Sequence, residues 1–242
     1  SFIIMKKILF LLILILNVSC LKSKEQKHLF ILSGQSNMAR LDPKESLIPI
    51  LKDKFGKKKV IVVKDALGGQ PIRRWYEGIN KNNDLKKNKK GDLFDSLINK
   101  VKYKSKNQKF NSVTFIWMQG ERDAREKLGE FYENNLMGLY NLLCQELNRE
   151  DINFIIGRLN DFDLQNKKYP HWSMIRSIQM KVATSNRRFE WVNTDDLNDG
   201  FNKKGEKTDN DLHMSVKGYK ILGERFAEKA IEKINKEISY EN

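Results

Sequence analysis

Histidine and cysteine are scarce in this sequence, and the scarcity narrows its chemistry. The 242 residues include three histidines and two cysteines, and none of the five falls in a zinc-ligand spacing. No phosphate-cradling glycine motif is present either. The segment Asp195 to Glu206, DDLNDGFNKKGE, places Asp, Asp, Gly and Glu at calcium-loop positions one, five, six and twelve. Leu197 stands at position three, where an oxygen ligand is required, so the segment reads as a turn. No metal and no cofactor is expected. Acidic residues are also short relative to basic ones, 31 against 45, for a formal net charge of +14. The excess sits largely in the lysine runs 57–59, 86–87 and 89–90. These runs lack the interleaved aromatics that a base-stacking surface needs, which argues against nucleic acid. They read as solvated loops, with a polyanionic partner such as an acidic glycan or anionic lipid as the competing reading.

The longest apolar run lies near the start. Lys6-Lys7 is followed by Ile8 through Leu16, too short for a comfortable membrane span, and then by Asn17-Val18-Ser19-Cys20. A charged region, a short apolar region and a small residue before cysteine resemble a bacterial lipoprotein signal. Cys20 would then become the lipidated first residue, although Asn17 stands where such signals usually carry Leu. A plain secretory signal or an uncleaved anchor is the alternative. Residues before Met5 read as an upstream extension of the reading frame. The expected organisation is a signal over 1–20, a tether over 21–27 and a single domain over 28–242. The expected location is exported, as a periplasmic or outer-membrane lipoprotein or a secreted protein, touching a membrane only through the lipid. With Cys20 so used, Cys144 has no partner for an intrachain disulfide. Its neighbours Leu142, Leu143 and Leu147 make it a buried structural thiol.

Within the domain, short apolar runs alternate with helical patterns. Strands are expected at Leu29–Leu32, Val60–Val63, Val113–Trp117, Asn153–Ile156 and Phe189–Val192. Helices are expected at Asp92–Tyr103, Leu128–Leu147, Trp172–Val182 and Val216–Ile234, and a surface loop over Gly78–Gly91. Such alternation indicates an α/β fold with a parallel sheet covered on both faces. Five strands suggest the flavodoxin-like order 2-1-3-4-5.

Ligands bind such sheets at the carboxyl ends of the strands, and the residues there are informative. Strand one runs into Gly34-Gln35-Ser36-Asn37, strand two into Asp65-Ala66-Leu67-Gly68-Gly69-Gln70, and strand three into Gln119-Gly120-Glu121. Asp209 to His213 precedes the last helix at the same end. Ser36 is read as a nucleophile, which needs a base within about 3 Å. His28 precedes strand one at the wrong end, and His171 opens a helix beside Trp172, where it suits capping or packing. His213 remains. The backbone N–H groups of Ser36 and Gly69 and the side-chain amide of Gln119 can converge on an oxyanion. Gln35, Arg73, Trp75 and Arg158 are candidates for substrate contact, an aromatic suiting a sugar face and an arginine a carboxylate or sulfate.

The blocks GQSNM, ALGGQPIRRW, WMQGERDA and DLHMS with Gly218-Tyr219 resemble, in order, those of the SGNH hydrolase superfamily. Within it they are similar to the sialate O-acetylesterase-like group that includes carbohydrate esterase family six. The resemblance covers nearly all of the domain. It implies a three-layer α/β/α sandwich and a metal-free serine esterase acting on acetylated carbohydrate. By similarity Ser36 is the nucleophile, His213 the base, and Ser36, Gly69 and Gln119 the oxyanion hole. Three departures stand out. Asn210 occupies the place of the orienting Asp, three residues before the histidine. Met118 replaces a frequent His, and no Gly follows Met38-Ala39. An Asn cannot stabilise an imidazolium as a carboxylate does, so Glu121 or Asp211 must serve, or the pair works as a weaker dyad. Glu121 is preferred, since the Asp211 side chain, two residues from His213, is expected to diverge. The competing readings are a non-catalytic glycan-binding protein and a lipid esterase on the same scaffold.

Overall fold

The computed structural model describes residues 26–78 and 89–241, with side chains for all of these except residues 89 and 238–241. The signal ending at Cys20, most of the tether and most of the 78–91 loop lie outside the described residues.

Five strands form one parallel sheet: β1 His28–Gly34, β2 Val60–Ala66, β3 Ser112–Met118, β4 Asn153–Gly157 and β5 Phe189–Val192. Their spatial order is 2-1-3-4-5, as expected from the alternation of apolar runs with helices. Every residue of β1 is buried, because helices cover both faces of a central parallel strand. Its side chains alternate between two cores. Leu29 and Ile31, with Val113, Phe115 and Trp117 of β3, pack against α3 (Asp92–Ser105), α5 (Gly129–Leu147) and α6 (Trp172–Thr184). Phe30 and Leu32, with Ile116 and Met118, pack against α1 (Ser36–Arg40), α2 (Leu47–Phe55) and α7 (Val216–Glu241). The result is a three-layer α/β/α sandwich. Cys144 is free and half-buried beside the first core, and burial raises its thiol above the ordinary range.

Three helices are additional to those the periodicity suggests: α1, α2 and α4 (Glu121–Arg125). Two have five residues and the third has nine, too short for an amphipathic period to register. Pro49 lies in the first turn of α2, where its missing N–H costs nothing. Two short antiparallel hairpins complete the described structure, Tyr76–Glu77 with Lys89–Lys90 and Gly200–Phe201 with Lys207–Thr208. The first strand of the second hairpin, Gly200–Phe201, falls in the calcium-loop-like segment. There the carboxylate of Asp195 is taken by Arg158 and Arg176, and that of Asp196 by Arg225.

One glycine sets the exit of the central strand. Gly34 has φ +144°, and a Cβ there would lie 1.9 Å from the Met118 carbonyl oxygen. The close approach lets Gln35 N–H donate to that carbonyl at 2.9 Å, while Leu67 N–H donates to Gly34 O at 3.1 Å. The ends of β1, β2 and β3 are thereby tied together. Gly34→Ala is expected to cost at least about 3 kcal/mol, from both the clash and the backbone conformation. A fall in the thermal midpoint followed by circular dichroism would register it.

Candidate active site

The tied strand ends surround a cleft of about 330 Å³, lined in part by Gln35, Ser36, Gly68, Gly69, Glu121 and His213. Ser36 is the first residue of α1, so its N–H has no intrahelical acceptor and is available to a ligand. Gly68 lies against it: a Cβ on Gly68 would be 3.7 Å from Ser36 Cβ. Gly69 has φ +70° and open space where a Cβ would be, so its backbone faces the cleft unshielded.

His213 Nε2 lies 3.2 Å from Ser36 Oγ. The other two histidines are elsewhere. His28 starts β1, with Nδ1 2.8 Å from Ser112 Oγ. His171 Nδ1 accepts from Gly129 N–H at 3.1 Å, capping the N-terminus of α5. Burial first, then the charge of Arg40, hold the His213 imidazole below its usual range, with Asp211 acting in the opposite direction. The ring is therefore neutral at pH 7, the state that can accept a proton.

The carboxylate beside His213 belongs to Asp211, contrary to the preference for Glu121. Asp211 Oδ1 accepts from His213 N–H at 2.7 Å and lies 3.7 Å from Nδ1. This local bond to the backbone two residues on, typical of Asp, turns the side chain back toward the ring where divergence was expected. Asn210 is directed away. Its Oδ1 accepts from Asn198 and its Nδ2 donates to Phe162 O, and its φ of +45° is left-handed.

Glu121 instead supports the helix that begins at Ser36. Its Oε1 accepts from Asn37 Nδ2 at 2.8 Å, and Asn37 Oδ1 in turn accepts from the Tyr219 hydroxyl at 2.8 Å. Oε2 is buried without a partner. Burial pushes the Glu121 carboxyl from 4.5 up to about 7, against the bonds from its own backbone and Asn37.

Gln119 is also placed differently from the expectation. It is fully buried, and its Nε2 donates to Asp123 Oδ2 at 2.6 Å and to Gln70 O at 3.1 Å, with Gln35 Oε1 at 3.3 Å. It sits behind the cleft and holds Gln35. Gln35 Oε1 also accepts from Arg122 N–H at 3.2 Å, which leaves Gln35 Nε2 as the uncommitted end of an amide that lines the cleft. Asp123 Oδ2 additionally accepts from Ile72 N–H at 2.9 Å, and burial raises its carboxyl to about 6. The third block thus braces the glycine block.

Three candidates for substrate contact are committed elsewhere. Trp75 is 1% exposed, donates to Ser33 Oγ at 3.0 Å and meets Trp117 edge-on. Arg73 pairs with Glu126 at 2.7 Å. Arg158 bonds Asn193 and Asp195 and lies 4.5 Å over the Trp191 ring. The sequence reading passed over Arg122, Arg125 and Tyr169, which line the cleft, and the buried relay of Asn37 and Tyr219. Arg122 and Arg125 follow Gln119-Gly120-Glu121 directly, so helical spacing after that block was the available signal. Tyr169 arrives from the long connection between β4 and α6, where no periodicity marks it.

A family model described as carbohydrate esterase, sialic acid-specific acetylesterase, matches residues 46–232. That stretch contains the glycine block, Gln119 to Asp123 and His213, and begins after Ser36. Among solved structures, the chain is similar to a protein from Arabidopsis thaliana at 18% identity and TM-score 0.64, covering 86% of this chain and 98% of that one. It is also similar to NanS, at 12% identity and TM-score 0.60 over 87% of this chain and 98% of that one. A carbohydrate acetylesterase from Xanthomonas citri matches at 15% identity and TM-score 0.58, over 84% of this chain and 55% of that one. At these identities the likeness is one of fold. A search among curated protein sequences gives no match. With three quarters of its length matched, the chain belongs to the carbohydrate esterases of the sialic acid-specific acetylesterase family.

Proposed function

We propose that the chain is a serine esterase that removes O-acetyl groups from carbohydrate hydroxyls, with Ser36 as nucleophile, His213 as base and Asp211 as the supporting acid. The observation that carries this reading is the 3.2 Å approach of His213 Nε2 to Ser36 Oγ at the floor of an open cleft. Ser36 Oγ attacks the acetyl carbonyl carbon as its proton passes to His213 Nε2. Nδ1 then carries the second ring proton and faces Asp211. Negative charge on the carbonyl oxygen is met by the N–H groups of Ser36 and Gly69 and by Gln35 Nε2, which takes the place expected of Gln119. His213 Nε2–H protonates the departing sugar oxygen as its bond to the acetyl carbon breaks. Water, deprotonated by the same nitrogen, then attacks the acetyl carbon, and Nε2–H returns that proton to Ser36 Oγ as its bond to the acetyl group breaks and acetate leaves.

At 3.7 Å, Asp211 acts on His213 by charge more than through a formed hydrogen bond. Asp211→Asn keeps an oxygen for the His213 N–H and removes only the charge. It is expected to lower kcat by about 10- to 100-fold, less than the roughly 10⁴-fold loss where the acid bonds the imidazole directly. The function itself is tested by acetate release from acetylated xylan oligosaccharides and O-acetylated sialic acid, beside esters of longer acyl chains. Release from an acetylated sugar supports the proposal. Cleavage of long acyl esters alone would make the chain a lipid esterase. No cleavage by folded protein would make it a glycan-binding protein.

A further inference from the structure

A second cleft, also about 330 Å³, opens beside the C-terminal end of α1 and shares no lining residue with the first. Its walls are Arg40 from α1, Asn202, Lys203, Lys204 and Glu206 from the hairpin before His213, and Met214, Val216 and Tyr219. Three cations therefore face one carboxylate. That carboxylate accepts from its neighbour Asn202 at 2.8 Å, and none of Arg40, Lys203 and Lys204 has an ion-pair partner among the described residues.

The arrangement is unusual for this chain. The guanidiniums of Arg73, Arg74, Arg122, Arg149, Arg158, Arg176, Arg187, Arg188 and Arg225 are each paired with a carboxylate. Among the described residues only Arg40 and Arg125 lack one. Arg125 lines the cleft of Ser36, and Arg40 lines the second cleft. A fourth cation, Lys64, donates to the carbonyls of Ala39 and Leu41 on either side of Arg40; burial lowers its pKa, with Asp42 opposing and Lys203 adding to the fall. Unpaired cations converging on a concavity attract an anion, and guanidinium favours the flat oxygens of a carboxylate or sulfate. Arg40 and Ser36 are four residues apart on one helix, about 6 Å along its axis. An anion held by Arg40 is therefore a near neighbour of an ester at Ser36. Val216, 44% exposed, adds apolar surface for a sugar face, and Glu206 and Asn202 add acceptors for hydroxyls.

We propose that this second cleft is a subsite for an anionic substituent, carboxylate or sulfate, on the carbohydrate chain that carries the acetylated residue. The inference rests on the esterase reading for its purpose, but the subsite can be tested without turnover. The wild-type protein is titrated calorimetrically with three deacetylated oligosaccharides of equal length: oligogalacturonate, a sulfated galactan fragment and a neutral xylo-oligosaccharide. At least one acidic chain should bind tenfold or more tightly than the neutral one, and the stronger of the two identifies the anion. Combined Lys203→Glu and Lys204→Glu, on an exposed hairpin, should abolish that preference while leaving neutral binding unchanged. It should also leave hydrolysis of 4-nitrophenyl acetate unchanged. Equal affinity for acidic and neutral chains would overturn the subsite. So would an acidic preference that survives both substitutions, which would place the anion at Arg122 and Arg125 or at the lysine runs. A loss confined to binding of anionic phospholipid vesicles would make the cleft a membrane contact. If 4-nitrophenyl acetate and the acetylated sugars are untouched by wild type while the acidic preference and its loss are seen, the esterase reading fails and the subsite stands.

Discussion

Ser36→Ala is expected to lower the hydrolysis of a small acetyl ester by at least about 10⁴-fold while the thermal midpoint stays within a few degrees. The size of the loss follows from what remains. In the proposed mechanism, loss of the hydroxyl removes the acyl-enzyme, and the oxyanion donors can only assist direct attack by water, as in serine hydrolases stripped of their nucleophile. Stability should barely move, because among the described residues Ser36 Oγ has a single partner, His213 Nε2 at 3.2 Å, and a bond of that kind contributes about 1 kcal/mol. His213→Ala should cost a similar factor, and the double variant little more, since the two residues act as a unit. A fluorophosphonate probe supplies an independent readout. It should label wild type at Ser36 and fail to label either variant. Retention of the acetyl-ester rate in folded Ser36→Ala would remove the serine from the mechanism.

Glu121→Gln should stabilise the protein at pH 8 to 9 by about 3 kcal/mol and leave stability at pH 4 little changed. The sign comes from linkage. The folded carboxyl binds its proton up to about pH 7, against an ordinary value of 4.5. The folded state thus holds a proton that the unfolded state has released, and stability associated with Glu121 declines as pH rises from 4.5 through 7. About 2.5 pH units at 1.36 kcal/mol each give the magnitude. Glutamine removes the ionisation while its oxygen still accepts from Asn37. Asp123 gives a decline of the same sign between 3.8 and about 6 in both proteins; its charge also adds to the rise at Glu121, so the difference includes that coupling. Denaturant midpoints of the two proteins across pH 4 to 9 provide the check, and parallel curves would show that Glu121 ionises freely when folded. Activity separates two roles. As a support for Asn37 and the helix that begins at Ser36, Glu121 tolerates the substitution with a modest change in kcat. A loss approaching about 10⁴-fold would make it the acid behind His213.

The sheet was legible because each strand is a short, continuous apolar run, and such runs in a helix-alternating chain have few arrangements that bury them. The positions of Ser36, Gly69 and His213 followed from the same topology, since residues after the ends of parallel strands gather at one edge. Helices α1, α2 and α4 were not legible, because helices of five to nine residues are held by tertiary packing more than by local propensity. Side-chain direction was the harder matter. Trp75 follows the glycine block in a place suited to a sugar, yet the pull of a buried surface against Trp117 and a bond to Ser33 turns it inward. Arg158 lies at the correct sheet edge and is drawn off by Asp195 and Trp191.

The acid behind His213 shows where the boundary falls. The chain order of the blocks was enough to single out Ser36 and His213, which the fold brings together. Periodicity says which face of an element a residue occupies, and that is a property of neighbours along the chain. Which partner a polar side chain takes depends on groups brought close by folding. Asp123 captures Gln119, Asn37 captures Glu121, and the His213 N–H turns Asp211 toward the imidazole. The first joins residues four apart after β3 and the second joins side chains from the ends of β1 and β3, both in a buried site where an unpaired polar group is costly. The third is local, but it matters only because the fold has already brought His213 to Ser36.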